Sequence, residues 1–310
     1  MTASSDNLDH ARAPAAPLHK TRPFYWSVRR ELWENRSLYL APAAVAALAL
    51  LGLLLSTIGM AHRRLDTLQL PLAKQIALIA QPYDFAHGSV ALTGFIVAAV
   101  YCLGALSTER RDRSVLFWKS LPVSDLTTVL AKVFMPMAVL PAISSAIIIA
   151  LQLTMYIWSS VVLAAHGVAT PTLAQLPIGE LLVVVVYSLV VTTLWYAPLY
   201  AWMIMVSGWA RRVPFLWAVL PPAALCLVEK LAFNTTYLTK LVGARFVGVY
   251  GHAFFNPQPL PPGQSHAPLV GLAQLDPAGF VAMPGLWIGL AFAAAFVAVS
   301  VWLRRRREAL

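Results

Sequence analysis

Glutamates, histidines and arginines are the side chains with which this chain could do chemistry, and their spacing argues against a self-contained catalyst. No H-E-x-x-H, no G-x-S-x-G and no cysteine cluster occurs. The nearest approach to a phosphate loop is GARFVG, Gly243 to Gly248. Val249 and Tyr250 follow it, where a lysine and a hydroxyl residue are required. His62, His87, His166, His252 and His266 fall in stretches expected on the outer face of a membrane. No pair of them has ligand spacing such as i,i+4, so solvated loop histidines are expected and no metal. Cys102 and Cys226 lie in apolar runs and read as small packing residues.

Two acids stand at the edges of apolar runs. Glu180 precedes Arg211 by 31 residues, which is about 46 Å of helix and reaches the outer headgroups. Glu229 follows Arg212 by 17 residues, roughly 25 Å of helix, near the outer boundary of the hydrocarbon. Two readings of Glu229 stand: a polar group lining an outer vestibule, or a Glu229-Lys230 pair capping the span in the interface. Pro221-Pro222 frees backbone groups at mid-membrane, which is tolerated where a neighbouring helix or a cavity satisfies them. The fifth span is therefore a candidate to line a translocation path. Trp195, Tyr196 and Trp202 are amphiphile-contacting candidates within WYAPLYAWMIMVSGW, with bundle core as the alternative.

The elements that must position these residues are membrane helices. Of 310 residues, 59% are hydrophobic and only 12% charged, against about 25% charged in soluble domains. Stretches of about 20 apolar residues recur at 40–59, 88–106, 129–157, 180–206, 214–233 and 284–303. They are too long for strands and lack alternation, so the fold class is an all-α integral membrane protein of six transmembrane helices. Pro136, Pro141 and Pro198 predict kinks.

The net charge of +10 concentrates at span ends rather than in a nucleic-acid-binding face. Arg12 to Arg36, Arg110 to Arg113 with Lys119 and Lys132, Arg211 with Arg212, and Arg304 to Arg307 fall on one side. The other side has Arg63, Arg64, Lys74, Lys230, Lys240 and Arg245. Positive-inside therefore places both termini cytoplasmic. The expected divisions are a cytoplasmic N-terminus (1–22), an amphipathic helix (23–38), the six-helix domain (39–303) with an outer loop at 234–283, and a basic tail (304–310). Residues 23–38 read as an interfacial helix with Trp26 and Trp33 at headgroup depth, or as an extension of the first span. The NPQPLPPG run in the outer loop cannot form a regular helix or sheet and is expected to cap the outer face.

One cytoplasmic segment, STERRDRSVLFWKSLPVSD at 107–125, asks for more than topology. Glu109, Arg110, Arg111, Asp112 and Arg113 give it a charged start. After Ser114, the residues Val115, Leu116, Phe117 and Trp118 form an apolar middle beside Lys119, and Leu121-Pro122 stops it. Ser124 is a candidate N-cap, with Asp125 favourable in the next first turn. Arginines alone account for topology, but not for the aromatic-apolar run or its abrupt end.

E-R-R-D-R-S, an apolar helix, L-P-V-S and then Ala131-Lys132 resemble the loop between the second and third spans of type-2 ABC exporter permeases. Glu109, Arg110, Arg111, Ser114, residues 115–120, Leu121-Pro122 and Lys132 match that pattern. Arg113 departs from it, standing where many members have glycine. The motif covers about 25 residues, and the six-span architecture covers most of the chain. The resemblance implies a short coupling helix that docks on a separate cytoplasmic ABC ATPase. It also implies ATP and Mg bound in that partner and not here, a second permease copy or paralogue in a dimer, and a bacterial inner membrane. Two rivals are weighed against it. An ion-gradient-driven secondary transporter would want midplane charges and an internal repeat. A membrane-embedded lipid-modifying enzyme would need a convergent polar cluster, and the sequence displays neither.

Overall fold

The computed structural model describes residues 22–60, 65–67, 69–111, 124–167, 178–248, 253–254 and 272–307. Among these the protein is helical, with a single isolated bridge between Phe254 and Leu275 and no strand. Six helices are long and apolar enough to cross a membrane.

Pro23 supplies a helical φ in the first turn of α1 (Pro23–Glu34). Asn35 and Arg36 interrupt the helix before α2 (Ser37–Ser56), so α1 is separate and not an extension of the first span. Next comes α3 (Leu72–Gly104), which begins well before the expected start at 88. Pro82, Asp84 and His87 give the stretch a loop-like composition. It folds as helix because Ile79, Ala80, Tyr83, Ala86 and Val90 fall at helical spacing and bury one stripe. His87 is thus a half-buried helical residue, not the loop histidine expected. His166 does lie at a helix end and is exposed; His62, His252 and His266 are outside the described residues.

A short α4 (Ser107–Arg111) follows. Helix α5 (Asp125–Phe134) starts as its sequence predicts, with the Ser124 hydroxyl accepting from the Thr127 amide at 3.1 Å. The kink expected at Pro136 and Pro141 takes the form of a π-helical turn, Met135–Val139. Neither proline can donate a backbone hydrogen bond, and the Leu140 amide instead reaches back five residues to Met135 O. The path continues as α6 (Leu140–Ala165), extending the third crossing beyond the expected 157.

The hub is α7 (Ile178–Trp209), which packs on α3, α6, the π-turn and the last helix. Helix α8 (Pro214–Phe233) has the expected limits and runs through Pro221-Pro222 without a break. Beyond it, α9 (Tyr237–Val247) opens the segment between the fifth and sixth crossings, and α10 (Pro277–Ala282) closes it. The NPQPLPPG run lies outside the described residues. Finally, α11 (Pro284–Arg307) continues past the expected 303 and takes the first basic tail residues into the helix.

Apolar side chains such as Leu48, Leu51, Ile96, Val100, Leu225 and Leu231 point outward, as lipid-facing residues do. The interior depends on close approaches. A Cβ at Gly94 would lie 3.0 Å from Ser144 Oγ, whereas one at Gly52 would meet nothing within 4 Å. Gly94→Val should therefore lower the unfolding temperature in detergent. Gly52→Ala should leave it unchanged or raise stability by up to about 1 kcal/mol, with thermal melts of the two variants giving the comparison.

Candidate functional site

The sequence places charged residues on four separate elements, and the fold brings them to one end of the bundle. Asp125 and Lys132 lie seven apart, two turns along one face of α5. Arg304 sits near the C-terminus of α11, where its charge suits the helix dipole. Glu31 comes from α1 and Glu109 from α4. Lys132 is 3% exposed, Glu31 and Arg304 4%, and Glu109 7%.

Lys132 Nζ donates to Glu31 Oε1 at 2.7 Å and stands 3.0 Å from Glu109 Oε1. Arg304 bridges Glu109 Oε2 at 2.9 Å and Asp125 Oδ1 at 3.1 Å. From the half-exposed rim, Arg30 reaches Glu109 at 3.2 Å and Glu34 at 2.8 Å. Tyr101 OH donates to the other Glu31 oxygen at 2.8 Å. Among the described residues four carboxylates (Glu31, Glu34, Glu109, Asp125) thus meet three cations (Arg30, Lys132, Arg304), with Glu34 exposed at the rim. The buried ions need such partners because each desolvated ion costs several kcal/mol.

Beside this cluster, Arg110 donates to the carbonyls of Ser207 and, at 3.0 Å, Ala210. It satisfies acceptors that the end of α7 leaves open. Ser207 Oγ accepts from the Leu106 amide at 3.2 Å. Of the residues expected on a docking surface, Glu109 and Arg110 therefore turn inward and act as anchors. Arg111 ends α4. Asp112, Arg113, Ser114, Val115, Leu116, Phe117, Trp118, Lys119, Leu121 and Pro122 lie outside the described residues.

The path candidates disperse. Trp195 is buried, donates from Nε1 to Arg245 O at 3.1 Å, and carries the Arg245 guanidinium 4.4 Å above its ring. Arg245 in turn donates to Gly285 O, and desolvation lowers its pKa. Gly289 leaves room for it, since a Cβ there would lie 2.4 Å from the guanidinium. Trp202 donates to Ala218 O at 3.1 Å and holds α8 against α7. Pro221 and Pro222 are half-buried on α8.

Glu229 fits neither expectation. Its carboxylate accepts from Thr235 Oγ1 at 2.8 Å and from the Tyr237 and Leu238 amides at 2.6 and 2.9 Å. It thereby caps the start of α9, while Lys230 donates to Asn234 at 2.9 Å. The turn at Asn234, with φ of 50°, aims those amides back at the acid.

Of these candidates Tyr196 lines a cleft of about 1490 Å3 between α3, α6 and α7. Its α7 wall carries Ser188, Thr192, Tyr196 and Tyr200. This polar stripe at a spacing of four in an apolar span is the signal by which the sequence could have disclosed the site.

Lys132→Met would leave Glu31 and Glu109 buried without the ammonium between them. It should cost about 3–5 kcal/mol, and adding Glu31→Gln to Lys132→Met should recover part of the loss in unfolding experiments. Comparison with known proteins adds no assignment: no family model matches the chain, and neither a curated protein nor a solved structure matches it.

Proposed function

We propose that this chain is the membrane-spanning permease subunit of an ATP-binding-cassette exporter. It works as a dimer with cytoplasmic ATPase subunits, which bind the ATP and Mg. The observation that carries the reading is the pair of anchors flanking 112–123. Glu109 before the segment and Asp125 after it both bond to Arg304. A displacement applied to the segment is delivered through Arg304 to α11, and through Lys132 and Glu31 to α1. A freely solvated loop would dissipate the same displacement. The sequence between the anchors supplies the docking chemistry, an apolar run from Val115 to Trp118 ended by Leu121-Pro122.

On this reading the charged end of the bundle faces the cytoplasm of a bacterial cell, and α1 lies in the inner interface. Helix α8 offers a surface to the second permease, because only 11% of its apolar window is covered within the chain.

Affinity purification from native membranes in mild detergent should recover an ABC ATPase with the chain. Trp118→Ala with Leu121→Ala should reduce that recovery at least tenfold while the permease melts as before. Recovery of no ATP-binding-cassette protein, or undiminished assembly and transport by the double variant, would overturn the assignment.

A further inference from the structure

We infer that the cleft between α3, α6 and α7 is a binding site for hydrophobic cations. As the cargo site of an exporter it rests on the preceding proposal, but as a binding site it stands alone. Its depth follows from helix rise. Tyr200 lies 11 residues before Arg211, about 16 Å along α7. Asp84 lies 25 residues before Glu109, about 38 Å along α3. The cleft therefore runs from mid-bundle to the end opposite the charge cluster.

Its wall chemistry selects the ligand. Among the described residues no lysine or arginine lines it, and Asp84 is the one acid. Four rings gather at its inner end. Phe95 lies 5.0 Å from Tyr196, 6.1 Å from Tyr200 and 6.2 Å from Phe246, centroid to centroid. Aromatic faces attract cations, more so where water is excluded.

Three of the cleft hydroxyls spend their protons on their own helix backbone. Ser89 donates to Ala86 O at 3.0 Å, Ser188 to Val184 O at 2.8 Å and Thr192 to Ser188 O at 2.6 Å. What they have left to offer the cleft is lone pairs. Ser144 is 6% exposed and lines the cleft, and its hydroxyl has no hydrogen-bond partner among the described residues. Ring faces, the lone pairs of these hydroxyls and the Asp84 carboxyl favour a positive or donor-bearing ligand over an anion.

Steric control separates entry from closure. At Gly94 the helices α3 and α6 nearly touch, while a Cβ on Gly88 would meet nothing within 4 Å. A large side chain at Gly88 has open space beside it and should fill the cleft without displacing the backbone.

The test uses two ions of one shape and opposite charge, tetraphenylphosphonium and tetraphenylborate. Each is titrated separately against the purified full chain, with empty micelles subtracted. Saturable binding of the phosphonium, at least tenfold tighter than that of the borate, is expected. Gly88→Trp should abolish it, with a melting temperature near that of the wild type. Phe95→Leu, which removes one ring and keeps apolarity, should weaken it about fivefold, and this variant decides the matter if Gly88→Trp does not fold. Equal binding of the two ions, no saturable phosphonium binding, or unchanged binding by a folded Gly88→Trp would overturn the inference. Ligand binding without ATPase recovery would sink the exporter reading and leave the site in place. ATPase recovery without ligand binding would do the reverse.

Discussion

A lysine ammonium held between two glutamates, out of contact with water, sets the terms for the rest of the protein. Lys132 is a paired ion there only while Glu31 and Glu109 remain within reach, and Glu109 is tolerated in the interior only while Arg304 also pairs with it. Each of these residues belongs to a different helix. The N-terminal helix, the link after the second span, the start of the third and the end of the last must therefore meet at one place. Such a cluster adds little net stability, because desolvation offsets most of the attraction. Its value is register, since a helix rotated by one residue would leave an ion buried and unpaired.

The opposite half of the bundle is organised by hydroxyls and rings instead. The two regimes are joined at the π-turn. Met135 is buried in the core near the charged end, whereas Pro136, Leu140 and Pro141 already line the cleft. An extra residue in that turn rotates all of α6 relative to α5 and brings Ser144, Ser145 and Ile148 onto the cleft wall. A regular α-helix would aim a different stripe at α3. On the proposed function, this turn is also the route by which a movement of α5 reaches the ligand, because α5 holds Asp125 and Lys132 while α6 holds the wall.

Apolar run length carried most of the fold. All six crossings coincide with runs legible in the sequence, and α8 matches to the residue because Pro214 and the Asn234 turn bracket it. The second crossing was legible only in its inner half. Pro82, Asp84 and His87 dilute the apolar signal, although the spacing of Ile79, Tyr83, Ala86 and Val90 records the helix. The site was less legible. Glu109 looks partner-facing in its local setting, and Arg30, Lys132 and Arg304, the last 195 positions away, turn it inward. Pairings of that range leave no local pattern. Glu229 was misread for the opposite reason: its partners are close in sequence, but the left-handed turn that presents their amides cannot be foreseen from composition.

Counting arginines and lysines orients a membrane chain, yet the count merges two kinds of residue. Arg30, Arg110, Lys132 and Arg304 are engaged by carboxylates or carbonyls from other helices. Arg22, Arg36, Arg211, Arg212, Arg305 and Arg306 remain exposed at the periphery, where lipid headgroups compete for them. The first group is held in place by geometry and the second by solvation. Arg245, counted among the cations of the other side, belongs to the first kind: Trp195 and two carbonyls hold it in a niche that Gly289 keeps open. Once the internally engaged cations are set aside, these six exposed arginines still outnumber the exposed Lys74, Lys230 and Lys240 of the other end among the described residues. The orientation argument therefore rests on the arginines that do the least for the fold.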